Sequence, residues 1–223
     1  MQKNRIFVAI NGYGVPVDIF KDLNYHAYLI QVFNYLWDKY QSKSLTIIPC
    51  GGLTDLVSPY KRTEAGEMVK WLRERIKKFG LAKLWRVTPC ATEFTALENM
   101  LVVRRLIGKA RVVYFCEKTQ INRIRRLAKK IFGSRAVVMG IEFDGSSPHY
   151  GHPNRNRTEK EDLKYGLFAL HNPKWRKMLK EAAVEKIRIL RRTPPKIRVL
   201  EIDQIARQIR KIYYQKFRAL QNN

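Results

Sequence analysis

A chain of 223 residues with 45 % hydrophobic and 28 % charged side chains can build one sizeable folded domain, and no segment approaches the 18 or more uninterrupted apolar residues of a membrane-spanning helix. The formal charge of +25, from 44 basic and 19 acidic residues, is silent about fold but raises the local concentration of anions: phosphates, nucleotides, nucleic acid or an acidic surface. The opening MQKNRIFVAINGYG has too short an apolar run for a signal peptide, so the protein is expected in the cytoplasm.

Arg5 to Ile10 reads as a strand delivered into the loop Asn11-Gly12-Tyr13-Gly14. From Asn24, the residues Tyr25, Tyr28, Leu29, Val32, Phe33, Leu36, Trp37 and Tyr40 recur at helical steps and form one apolar stripe. Ser44 to Pro49 is a second strand, followed by Cys50-Gly51-Gly52, a long loop and a helix from Thr63 to Phe79 that stops at Gly80. The alternation continues with a strand at Leu84 to Val87, a helix from about Thr92 to Ile107, a strand at Arg111 to Cys116, a helix from Thr119 to Phe132 and a strand from Arg135 to Phe143. Near-continuous apolar strands alternating with amphipathic helices predict a Rossmann-like, doubly wound α/β domain: a mainly parallel sheet covered by helices on both faces.

This domain is expected to span 1–143, with a polar Gly, Pro and Asn-rich loop at 144–158 and a basic C-terminal α/β extension at 159–223 packed on it. The extension should hold helices from Glu159 to Leu170 and from Pro173 to Arg191, a strand at KIRVLEI and a helix from Asp203. Residues 174–218 carry 15 basic and 4 acidic side chains. Arg188, Arg191, Arg192, Lys196 and Arg198 are candidates to contact nucleic-acid phosphates. Alternatively Ile205, Ile209, Ile212 and Tyr213 pack the last elements and leave the cations as a solvated face. No stacking-aromatic RNA motif is evident.

In an open parallel sheet, ligands gather at the carboxyl ends of the strands. Asn11-Gly12, Gly51-Gly52, Thr92 to Asn99 and Glu117 to Arg123 all fall there. Glycines let backbone amides approach an anion, and helix N-termini add further N–H groups; equally, strand-to-loop junctions use glycine for geometry alone. GYGVPV is no dinucleotide fingerprint, since Val17 holds the third glycine position, and no P-loop is present. Thr63 and Glu64 suit a helix N-cap and a dipole partner as well as a site. Glu98 and Asn99 fall inside the predicted helix, where an exposed helix face competes with a site role. Cys50, Cys90 and Cys116 lack a CxxC pair, and each follows a strand, so they are expected as reduced thiols in the core rather than as zinc ligands; His149 and His152 lie in the polar loop.

The succession CGG, TEAGEM, TEFTALENM and CEKTQINRI resembles the YdcF/SanA/ElyC-like family, a bacterial domain family, over about residues 5–140. Gly51 and Gly52 match its Gly-Gly pair, Thr63-Glu64-Ala65 and Met68 its helix start, Glu98-Asn99 its Glu-Asn pair and Arg123 its arginine. Three positions depart: Ala96 stands at a threonine position with Thr95 one place earlier, Glu117 at a common serine, and Gln120 at the histidine. Gln120 keeps hydrogen bonding but not titration near neutral pH. The resemblance implies a Rossmann-like fold and, for one branch, S-adenosylmethionine binding; other branches are membrane-anchored and tied to the cell envelope. The ligand-binding set is therefore Asn11, Gly12, Gly51, Gly52, Thr63, Glu64, Thr95, Glu98, Asn99, Lys118, Thr119, Gln120 and Arg123. The expected ligand is small and anionic or zwitterionic, with S-adenosylmethionine or a nucleotide as candidates, no catalytic residue assigned, and a basic nucleic-acid-binding module as the alternative.

Overall fold

A computed structural model of the chain describes residues 5–142, 155–194 and, beyond these, 204, 205, 208, 209, 211–213 and 215. The chain divides into two compact units, Met1–Gly145 and Ser146–Asn223.

The first unit alternates β1 (Ile6–Asn11), α1 (Leu23–Tyr40), β2 (Leu45–Cys50), α2 (Glu64–Lys78), β3 (Trp85–Val87), α3 (Ala96–Ile107), β4 (Val112–Glu117), α4 (Ile121–Phe132) and β5 (Ala136–Ile141). The strands form one sheet, ordered β3-β2-β1-β4-β5, with every pairing parallel. This is the expected Rossmann-like architecture. Right-handed crossovers running left from β1 and right from β4 put α1 and α2 on one face and α3 and α4 on the other. The direction of winding reverses between β1 and β4, and that gap is the topological switch point.

Every residue of β2 and β4 is buried, because both sheet faces are covered. On one face Val8, Ile10, Ile47, Val113 and Phe115 meet the α1 stripe and Met68, Trp71, Leu72 and Ile76 of α2. Trp71, Tyr25 and Tyr28 are among the largest fully enclosed side chains, and a buried apolar side chain of that class stabilises by roughly 1.5–3 kcal/mol. Leu97, Met100, Val103 and Ile107 of α3 and Ile124, Leu127, Ala128 and Phe132 of α4 are the buried apolar residues of these helices.

Helix starts are set by side-chain caps. Asp22 accepts from Tyr25 N–H, Thr63 from Gly66 N–H and Thr95 from Glu98 N–H. Helix α3 therefore begins at Ala96, four residues after the expected Thr92, and Glu98 stands in its first turn rather than in its interior. Thr63→Ala is expected to cost about 1 kcal/mol in a urea melt, the usual value of a lost N-cap. Before α4 the chain makes a 3₁₀ turn at Lys118–Gln120.

In the second unit, α5 (Arg155–His171) starts four residues before the expected Glu159, and α6 (Pro173–Arg192) follows with Asn172 as its N-cap. Trp175 is buried and meets Phe168 edge-on. Ile205 and Ile209 are buried, as a packing role predicts, whereas Ile212 is half exposed. The strand expected at KIRVLEI, Phe143, His149 and His152 lie outside the described residues or their described side chains.

Candidate functional site at the carboxyl edge of the sheet

Asn11 closes β1 at the switch point. It pairs in register with Cys50, and alternation along a strand turns its side chain to the α3 and α4 face, as for Tyr114 on β4. Its Nδ2 donates to Gln120 Oε1 at 2.9 Å, a buried bond across 109 residues of chain, and Arg123 Nη2 donates to the same oxygen at 3.3 Å. Asn11 Oδ1, by contrast, is buried without any hydrogen-bond partner, and Tyr114 Oη stands buried beside the Cys50 thiol. Asn11 is 5 % exposed and Tyr114 0 %, so neither atom reaches bulk solvent. Burial pushes the Tyr114 phenol well above its ordinary range, with the nearby thiols of Cys50, Cys90 and Cys116 adding to the effect; the group stays a protonated donor. A buried acceptor with no partner costs about 1–3 kcal/mol, so Asn11 Oδ1, like Thr46 Oγ1 on β2, is a costly atom unless something donates to it.

Three of the buried carboxylates at this edge each receive a threonine hydroxyl. Thr54 donates to Glu64 at 2.7 Å, Thr95 to Glu98 at 3.0 Å and Thr119 to Glu117 at 2.7 Å. Cations stand beside them in Arg123 and in Lys118, which pairs with Glu142. Asn99 faces Cys90, with the thiol 3.9 Å from Asn99 Oδ1. Cys90 is bridged to Cys50 across the ends of β2 and β3. Burial pushes the Cys50 thiol well up, and the hydrogen bond from Cys50 holds the Cys90 thiol below its ordinary value. All three cysteines are buried free thiols. Among the described residues no group of three or more His, Cys, Asp or Glu side chains converges as a metal site would require.

The glycines serve a different purpose from the one their sequence suggests. A Cβ on Gly51 would lie 2.3 Å from Glu64 Oε2 and 2.5 Å from Glu64 Cβ, and one on Gly12 would lie 2.3 Å from the same oxygen. A Cβ on Gly52 would meet the Glu93 carbonyl oxygen at 2.4 Å. These glycines make room for the protein's own Glu64 and for the β3–α3 loop. Their amides are engaged as well: Gly12 N–H donates to Cys50 C=O and Gly51 N–H to Cys90 C=O. The first turn of α2 is closed in the same way, because Glu64 N–H bonds Gly52 C=O, Ala65 N–H bonds Gly51 C=O and Gly66 N–H bonds Thr63 Oγ1. An anion would find no vacant donor among these three N–H groups.

Two features of the edge escaped the sequence reading. Asp55 is buried in the β2–α2 loop and is held by a two-pronged Arg62 guanidinium, with Nη2 to Oδ1 at 2.8 Å and Nε to Oδ2 at 3.0 Å. Arg62 Nη1 continues to the Pro16 and Val17 carbonyls, at 2.7 and 2.8 Å, tying this loop to the one after β1. In addition, Tyr25 and Tyr28, read only as apolar stripe, anchor the GYG loop. Tyr25 Oη donates to Gly14 C=O at 2.6 Å, Tyr28 Oη to Asn11 C=O at 3.0 Å, and Tyr13 stacks on Tyr25 at 4.1 Å.

The structure thus joins Asn11, Gln120 and Arg123 in one contact chain, Gly12, Gly51 and Glu64 in a second, and Thr95 with Glu98 in a third. Gly52 and Thr63 belong to the α2 start, and Asn99 to the Cys90 side. Comparison with protein-family models, curated proteins and solved structures returns no match for this chain. No helix of the described residues is long and apolar enough to cross a membrane.

Proposed function

We propose that the first unit binds a small zwitterionic molecule over the carboxyl ends of β1 and β4. The observation that carries this reading is the unpartnered Asn11 Oδ1, buried at the switch point where open parallel sheets receive ligands. A ligand N–H or O–H would satisfy it. Arg123 offers a cation for the ligand's anionic end, while Glu98 and Glu117 favour a cationic or donor-rich end. S-adenosylmethionine, with an ammonium, a sulfonium, ribose hydroxyls and a carboxylate, meets all of these demands, and its binding is what a YdcF-like relationship would imply; a purely anionic ligand meets fewer.

Thermal-shift and calorimetric titration with S-adenosylmethionine, adenosine and ATP tests this. At 100 times Kd the true ligand stabilises the protein by about 2.7 kcal/mol. Asn11→Leu removes the orphan acceptor together with the donor to Gln120, and is expected to cost the unliganded protein no more than about 1 kcal/mol while weakening binding at least tenfold. Absence of a shift with every ligand refutes the reading; so does an Asn11→Leu variant that loses more than about 2 kcal/mol of stability, which would make Asn11 a structural residue.

A further inference from the structure

The charge of the first unit is divided between the two ends of its sheet. Its described carboxylates fall in the carboxyl-edge loops, at the strand ends there or in the adjoining first helical turns, with two exceptions, Asp38 and Glu74. The amino edge, where strands begin and helices end, is left to cations. Cations at helix C-termini complement the helix dipoles, and that explains part of the pattern. It does not explain a recess of about 700 Å³ beside the edge strand β3, lined by Arg5, Arg73, Lys77, Lys83 and Arg86 and by no carboxylate. These five side chains come from the start of β1, the outer face of α2, the α2–β3 turn and β3 itself. All five are exposed, and none makes an ion pair among the described residues.

Like charges gathered in a recess repel one another, and their field is focused by the surrounding low-dielectric walls. Nothing in the recess repays that repulsion from within the protein, so a polyanion is the partner that fits. The recess also shows which polyanion. Its apolar lining gives little to insert into a lipid surface: Trp85, its one aromatic residue, is 3 % exposed, and Leu84, at 38 % exposed, stands alone among the cations. For the same reason it offers no platform for base stacking. What remains is a concave row of cations at the spacing of several elements, suited to a flexible chain of phosphates.

We infer that this amino-edge groove binds the phosphate backbone of single-stranded nucleic acid, independently of base sequence. None of Asn11, Gln120 and Arg123 lines it, and it does not depend on the carboxyl-edge site. The groove differs also from the basic C-terminal stretch to which the sequence assigned such contacts.

The test is fluorescence anisotropy with the full chain and labelled 20-nucleotide RNA and DNA strands. Wild-type protein should bind oligo-U and oligo-A with affinities within threefold of each other, and binding should weaken steeply with salt. The triple substitution Lys77→Ser, Lys83→Ser and Arg86→Ser is expected to lower affinity at least tenfold at 0.1 M salt and to flatten the log–log salt slope by about 2, at about 0.7 per lost phosphate contact. A charge-matched control, Lys164→Ser, Lys174→Ser and Lys177→Ser in α5 and α6, should change either quantity by less than a third as much. Equal losses in both triples would reduce the effect to net charge and overturn the proposal. Unchanged oligonucleotide binding in the groove triple, with weakened binding to phosphatidylserine-containing vesicles, would assign the groove to membranes and overturn it equally. All five cations are exposed, so the variants should melt with the wild type, which separates lost binding from lost fold.

Discussion

Gly51→Ala should destabilise the first unit by about 3–5 kcal/mol in urea-induced unfolding, whereas Gly14→Ala should cost only about 1–2 kcal/mol. Both glycines have positive φ, +147° and +127°, so both substitutions incur backbone strain. Around Gly14 nothing lies within 4 Å of an added Cβ, while at Gly51 the Glu64 side chain already fills the space. The difference between the two variants isolates the steric term. Glu64→Ala should not rescue Gly51→Ala, because Glu64 Cβ alone stands 2.5 Å from the new methyl; Glu64→Gly should rescue it in part. If both glycine variants lose the same stability, the carboxylate cradle yields freely and the close packing has no energetic weight.

Asp55→Ala is expected to cost about 3 kcal/mol at pH 7, since it strips a buried carboxylate from a two-pronged guanidinium and leaves Arg62 with only its carbonyl partners. Burial alone would raise the Asp55 pKa. Hydrogen bonds from the Arg62 side chain and from the Val57 and Arg62 amides outweigh it, and the carboxyl is held below its ordinary value. A depressed carboxyl pKa gives stability that is complete above the unfolded value of about 3.9 and lost as pH falls through the folded value. The gap between wild type and Asp55→Ala should therefore be widest at neutral pH and narrow below about pH 4. Urea midpoints at pH 7 and pH 3 measure it, and a gap that does not shrink in acid would remove Asp55 ionisation as the cause.

The fold was legible because its signals are local and repeated. Helical spacing in Tyr25 to Tyr40, the glycine stop at Gly80, and apolar strand runs each depend on a few neighbouring residues. The site was legible in its location and less so in its chemistry. Strand ends marked where loops gather, yet Gly51 and Gly52 look alike whether they face a ligand or, as here, Glu64 and the Glu93 carbonyl. The choice depends on contacts across 13 or more residues that no local pattern encodes. The same holds for Arg62, whose reach to Pro16 and Val17 spans more than forty residues, and for Asn11, whose partner Gln120 lies on the far side of the switch point. Glu98 was misplaced for a smaller reason: the helix was started at Thr92 rather than at the Thr95 cap, which moved a first-turn residue into the interior.

The Arg62 bridge also bears on how a molecule could arrive at the carboxyl edge. By fastening the loop after β2 to the loop after β1, it turns two connections into one stiff jaw, further braced by Tyr25 and Tyr28 from below. Across the switch point the turn before α4 is tied to the end of β1 by the Asn11–Gln120 bond and to the residue after β5 by the Lys118–Glu142 pair. A molecule entering at the switch point would then meet the Asn11–Gln120 bond as the joint between the two sides, while the side that the glycines and Arg62 fasten keeps its shape.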